Sequence, residues 1–142
     1  ALRAAKLIYM LGGFTHYLAL TLLGSNAWDA VLDAWENGAV IAGSSAGAMV
    51  MCEYYYDPSR GQVEQGLNLV PNACVLPHHN TFGKNWAGKL RQLLPDVMLL
   101  GIDEQTGMLT DKKDWQVLGG GTVTLYTNGN TERYQSGQRF SL

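Results

Sequence analysis

Charge is what this sequence has least of. Asp, Glu, Lys and Arg make up 15% of its 142 residues, against roughly 25% in a typical soluble domain, so some of its surface is expected not to face water. The ten Lys and Arg are scattered, with no cluster larger than Lys84, Lys89 and Arg91, and the formal net charge is −2. That excludes the basic field a nucleic-acid partner requires. Long apolar runs are also missing: stretches such as Val97 to Leu100 fall far short of the ~18 residues of a membrane span, so no membrane partner is expected. Two cysteines, Cys52 and Cys74, are too few for a disulfide framework. Neither a dinucleotide fingerprint nor a metal-ligand cluster is present, so no cofactor and no metal is expected. The N-terminus runs straight into an apolar segment without a signal-peptide layout, which makes the cytoplasm the expected compartment.

What is present is enough apolar material, 46% of the residues, for one core, and residues 1–142 read as a single domain. Leu7-Ile8-Tyr9-Met10-Leu11, ended by Gly12-Gly13, reads as a buried parallel-type strand. Thr15 is placed to cap a following helix that Gly24 stops. Ser25 caps a second helix in which Trp28, Val31, Leu32 and Trp35 share a face and Gly38 supplies the left-handed stop. Ala39 to Ala42 is the next strand, and Ala48 to Met51 is helix-prone. Tyr54 to Gly61 reads as loop around Pro58 and Gly61. Cys74-Val75-Leu76 is a third strand ended by Pro77-His78-His79, Gly83 to Leu94 is helical, and Val97 to Ile102 is a fourth strand followed by Asp103-Glu104. Met108–Thr110, Trp115–Leu118, Val123–Tyr126 and Thr131–Tyr134 read as short strands joined by tight turns. The alternation predicts an α/β fold, a mostly parallel sheet flanked by helices and finished by C-terminal antiparallel β-ribbons.

The segment richest in chemistry is Gly43-Ser44-Ser45-Ala46-Gly47, a G-x-S-x-G nucleophile elbow in the strand-to-helix context that such an elbow requires. Ser45 is the candidate nucleophile. The N–H groups of Ala46 and of Gly13, beside Gly12, are the candidate oxyanion donors. A serine needs a base, and His78 and His79 directly follow a strand, at the edge where open α/β sheets place their sites; His16 reads as a packing or surface residue. Asp103, Glu104, Asp57 and Glu53 are the candidate orienting acids. The chain order Ser, His, Glu differs from the α/β-hydrolase order, and an amidotransferase-type glutaminase would carry cysteine at the elbow, whereas Cys52 lies seven positions beyond Ser45. Gly119-Gly120-Gly121 reads as a turn and not a phosphate cradle.

Taken in order, Leu11-Gly12-Gly13, Ala42 to Ala48, Gly66-Leu67-Asn68-Leu69-Val70-Pro71 leading to Pro77-His78, Gly101-Ile102-Asp103-Glu104, and Val117 to Thr124 resemble the S51 serine peptidases, which include aspartyl dipeptidase and cyanophycinase. The resemblance implies a class I glutamine amidotransferase-like (flavodoxin-like) fold of which this chain is the C-terminal two-thirds, its N-terminal βα units absent. It also implies hydrolysis of a small peptide or (iso)aspartyl-type amide through Ser45, His78 and Glu104, with Asp57 and His79 as the alternative acid and base. Gly12, Phe14, Arg60 and Lys84 are implied on the substrate side, with Arg91 a further cation to test. Phe14 stands where family members often carry Asn or Asp. The partners expected are a small peptide substrate and either further copies of the chain or a second chain that supplies the first strands. The rival reading is a non-catalytic or inactivated binding or scaffold subunit that keeps the elbow for packing.

Overall fold

The computed structural model describes residues 1–111 and 113–142. Two compact units divide the chain, Ala1–Pro71 and Asn72–Leu142. In the first, the strands β1 (Leu7–Met10) and β2 (Val40–Gly43) pair in parallel, Leu7 opposite Val40 and Met10 opposite Gly43. Parallel strands need a crossover, and here two helices make it, α1 (Thr15–Leu22) and α2 (Asn26–Glu36).

Local chemistry explains the ends of α2. Ser25 Oγ accepts a hydrogen bond from Trp28 N at 3.1 Å, a side-chain cap on an otherwise orphaned donor, and Gly38 turns out of the helix at φ 87°. Trp28, Ala30, Val31 and Ala34 form its buried side. The expected cap on α1 is corrected. Phe14 occupies the cap position without a side-chain bond, because the turn through Gly13, at φ 145°, delivers the chain one residue early. Thr15 is already helical, and its hydroxyl faces Met49 Sδ at 3.7 Å.

From β2 the chain turns at Ser44 and Ser45 into α3 (Ala46–Met51), which runs directly into β3 (Cys52–Asp57). The loop expected over Tyr54 to Gly61 is also corrected. Tyr54 to Asp57 pair antiparallel with β4 (Gln62–Gln65), and only Pro58 to Gly61 form the turn. The three consecutive tyrosines favour a strand, and Tyr55 and Tyr56 are buried in it. Leu7, Tyr9 and Leu11 at β1, Val40 at β2, and Phe14, Tyr17 and Leu20 at α1 are all at least half exposed.

In the second unit, β5 (Val70–Leu76), which begins at the end of the first, pairs in parallel with β6 (Met98–Ile102). The crossover between them is a 3₁₀ turn, Gly83–Trp86, and α4 (Ala87–Leu93); the single helix expected over 83–94 is therefore two pieces. Leu76 lies opposite Gly101, so both strands end together. Beyond β6 the pairing is antiparallel. β9 (Thr122–Tyr126) adds to β6, and β10 (Thr131–Gln135) adds to β9. A separate ribbon is built from β7 (Thr106–Thr110), β8 (Trp115–Gly119) and β11 (Arg139–Phe140). The sheets are thus mixed, not mostly parallel, while the C-terminal antiparallel ribbons are as expected. Among the described residues, no helix is long and apolar enough to cross a membrane.

Gly47 shows how tightly the elbow region is packed. A Cβ there would meet the carbonyl oxygen of Met10 at 2.1 Å, and one on Gly43 would meet the carbonyl carbon of Gly47 at 2.6 Å. Backbone cannot withdraw as a flexible side chain can, so Gly47→Ala is expected to cost about 3 kcal/mol or more, read as a drop in the denaturation midpoint. A variant as stable as the parent would show that α3 can move off β1.

Candidate active site

Ser45 sits between β2 and α3 at φ 50° and ψ −116°, a region that side-chain-bearing residues rarely occupy. Ser44 N, one residue earlier, bonds to Met10 O at 3.0 Å, and the Ser45 carbonyl accepts from Met49 N at 3.0 Å, which fixes the bend from both sides. Gly12 lies beside the nucleophile candidate: a Cβ there would come within 3.2 Å of Ser45 Cβ. Phe14 is 87% exposed.

The first unit also holds Asp57 and Arg60, in an arrangement that composition and spacing do not disclose. Arg60 Nη1 lies 2.9 Å from Glu64 Oε1 and 3.0 Å from His16 Nε2. A guanidinium can only donate, so His16 Nε2 accepts and Nδ1–H points to Tyr55 Oη at 2.8 Å. Asp57 is buried; its Oδ1 accepts from Ser59 N and Ser59 Oγ at 3.0 and 2.7 Å, while its Oδ2 has no hydrogen-bond partner among the described residues. Burial alone would raise the Asp57 pKa, but the bonds from Ser59 hold it below the usual carboxylate value. The contacts of Asp57 thus close on its own turn.

In the second unit, the ends of β5 and β6 bring two histidines and two acids together pairwise. His78 Nδ1 is 3.1 Å from Glu104 Oε1, and the His78 ring stacks on Phe82 with centroids 4.9 Å apart. His79 turns the other way: its Nε2 is 2.8 Å from Tyr126 Oη and its Nδ1 is 3.4 Å from Asp103 Oδ1. The left-handed turn at His78, φ 50°, takes the chain out of the strand, and the two rings leave it toward different partners. His78 and Glu104 are accordingly the accessible couple, and His79 and Asp103 the covered one, with side chains 8% and 12% exposed. Lys84 and Arg91 are exposed, and the Arg91 guanidinium lies 5.9 Å from the Tyr126 ring centre. No group of His, Cys, Asp and Glu among the described residues is placed to hold a metal ion.

Residues 1–118 match the family model described as Peptidase family S51. The chain is 26% identical to "Peptidase E" of Nostoc sp. over 147 residues, covering 93% of this chain and 60% of that protein. A crystal structure of a peptidase from an acI-B1 actinobacterium superposes with a TM-score of 0.85 at 33% identity, covering 99% of this chain and 61% of that one. A candidate Peptidase E of Listeria monocytogenes gives 0.59 at 21% identity, covering 94% and 61%, a likeness of fold. The chain thus spans about 60% of the length of the curated relative it matches.

The covered couple has a titration signature. Burial, the largest influence, pushes the His79 pKa below its ordinary value of 6.5 against the opposing pull of Asp103. The unfolded chain therefore takes up this proton first as pH falls, and stability present above about pH 6.5 is lost on acidification toward the lower folded value. The denaturation midpoint is expected to fall between pH 7 and 5.5, and His79→Gln to flatten that fall. An equal slope in both proteins would assign the effect elsewhere.

Proposed function

Since the chain belongs to peptidase family S51, we propose that it is the catalytic portion of a serine hydrolase that cleaves a small peptide or (iso)aspartyl-type amide. The observation that carries the proposal is the backbone of Ser45. A serine held at φ 50° on a strand-to-helix turn is the strained geometry a nucleophile elbow uses to present its hydroxyl, and packing alone would be served by a relaxed turn. The partner base is His78 and the acid Glu104. Glu104 accepts the Nδ1–H of His78 and so directs proton uptake to Nε2, the arrangement of an imidazole serving a hydroxyl nucleophile. His79 is less suited to this role because both its ring nitrogens are engaged under cover, and Asp57 because its bonds close on Ser59.

The chemistry proceeds in two halves. His78 Nε2 takes the Ser45 proton as Oγ bonds to the substrate carbonyl carbon, and the carbonyl electron pair moves to oxygen, opposite the N–H groups of Gly13 and Ala46. The oxyanion collapses, the C–N bond breaks, and the departing amine takes the proton from His78. Water then attacks the ester, passing its proton to His78, and the released Ser45 Oγ recovers it as the acid product leaves. Of the three cations considered for an acidic substrate side chain, Arg60 is already paired with Glu64, which leaves Lys84 and Arg91 to test.

Ser45→Ala is expected to abolish hydrolysis of aspartyl or isoaspartyl dipeptides, and with it covalent labelling by a fluorophosphonate, while the circular dichroism spectrum is unchanged. Glu104→Gln should lower kcat by about 10²-fold or more. Labelling that persists in Ser45→Ala would remove the nucleophile. A wild-type protein that is folded, unlabelled and inactive would favour the scaffold reading, to which the exposed Phe14 lends its support.

A further inference from the structure

We propose that the covered pair His79–Asp103, held by Tyr126 and Thr122, is a positioning device that sets the accessible couple His78–Glu104 in register. The proposal rests on the reading of His78 and Glu104 given above and adds two covered residues that act through that couple.

Both members of the accessible couple need such help. His78 has φ 50°, a left-handed conformation that costs a non-glycine residue about 1–2 kcal/mol and persists only where its surroundings impose it. Its carbonyl accepts from Thr81 N, Thr81 Oγ1 and Gly83 N, each at 3.0 Å, which anchors it on the side of the following turn. On the opposite side the anchor is His79, whose N–H bonds to Ile102 O at 3.0 Å. Glu104 lies on an exposed turn, its side chain 49% accessible; its N–H bonds to Asn80 Oδ1 at 2.9 Å. The residue before it, Asp103, is far more constrained. Asp103 N bonds to Thr122 O at 3.1 Å, and Asp103 Oδ2 accepts from Thr122 N and Thr122 Oγ1 at 2.9 and 2.8 Å.

The His79–Asp103 contact closes this frame. It ties the residue after His78 to the residue before Glu104, so any slip between the ends of β5 and β6 would separate both couples together. The ring occupies a space that only glycine opens: a Cβ on Gly101 would lie 2.4 Å from His79 Cδ2. Its protonation pattern is fixed as well. Asp103 can only accept, so Nδ1 carries the proton, and Nε2 accepts from the Tyr126 hydroxyl. The charged or titratable groups acting on the imidazole are Asp103, Tyr126, Arg133 and Lys84.

The test reads His78 directly. In the folded protein the His78 Nδ1–H, shared with Glu104, is expected to exchange slowly enough to appear in a ¹H–¹⁵N spectrum, and His79→Gln to speed its exchange at least tenfold. The maximal rate of fluorophosphonate labelling should fall about 10- to 100-fold, with the half-saturating concentration changed less than twofold. Made in a Glu104→Gln background, the same substitution should cost less than threefold more, because the two act on one couple. Unchanged exchange and labelling in a folded His79→Gln protein, or losses that multiply in the double variant, would overturn the proposal. If His79→Gln does not fold, Tyr126→Phe removes only one hydroxyl and is expected to show the same pattern at three- to tenfold. The spectrum reports on His78 whether or not Ser45 reacts, so a failure of the hydrolase reading leaves this test decisive.

Discussion

A serine whose backbone is bent into a sparsely occupied conformation costs about 1–3 kcal/mol, and the first unit is organised around sustaining that cost at Ser45. The side chains that follow it are buried, with Ala46, Met49 and Val50 each 3% exposed or less. Burial of the two larger ones contributes about 1.5–3 kcal/mol apiece, enough to offset the bend. The close approach of α3 to β1 depends on the missing side chain of Gly47, and the tight exit from β2 on that of Gly43. The chain then zips back along the end of α3 and the start of β3, where Gly66 N, Leu67 N and Leu69 N bond to Glu53 O, Val50 O and Met51 O. The bend is therefore held by backbone on every side, and α3 cannot relax without breaking bonds elsewhere in the unit.

The second unit meets a different requirement, that of holding an imidazole against a carboxylate at a solvent-facing edge. An exposed ion pair there would gain little by itself. The solution is duplication in register: two adjacent histidines follow one strand, two adjacent acids follow its parallel neighbour, and the turns at the strand ends sort them into an outer and an inner couple. The inner couple is nearly covered: His79 and Asp103 face each other on one side and bond to Tyr126 and Thr122 of β9 on the other. The outer couple inherits its placement from the inner one.

Much of this arrangement was legible in the sequence, and what was not has identifiable causes. Strands β1, β2, β5 and β6 announce themselves as short apolar runs closed by turn residues, α2 by its cap and spacing, and the elbow by five small residues in strand-to-helix context. These are local signals. The low charge content led to an expectation of surface turned away from water; in the structure Leu7, Tyr9, Leu11, Phe14, Tyr17 and Leu20 stand exposed. The hairpin through Tyr55 was hidden because Pro58 and Gly61 dominate the local reading, although they form only its turn. That β9 joins β6 in the main sheet, instead of staying in a ribbon of its own, is a tertiary property with no local signature, which is why a mostly parallel sheet was expected. His79–Asp103 escaped for the same reason. The pairing exists only once the register of two strands is known, and the sole hint was that a His-His and an Asp-Glu dipeptide stand at two strand ends.

Gly47's contact with Met10 also has a meaning for how such a sequence can diverge. Because the elbow is built from backbone approach, its supporting glycines are exposed to selection for folding, whereas the hydroxyl of Ser45, on the hydrolase reading, is exposed to selection for chemistry. A lineage that abandons catalysis is free to replace Ser45 while Gly43 and Gly47 persist, leaving a recognisable elbow around a different residue. Loss of the glycines in the reverse order would instead remove the fold together with the chemistry.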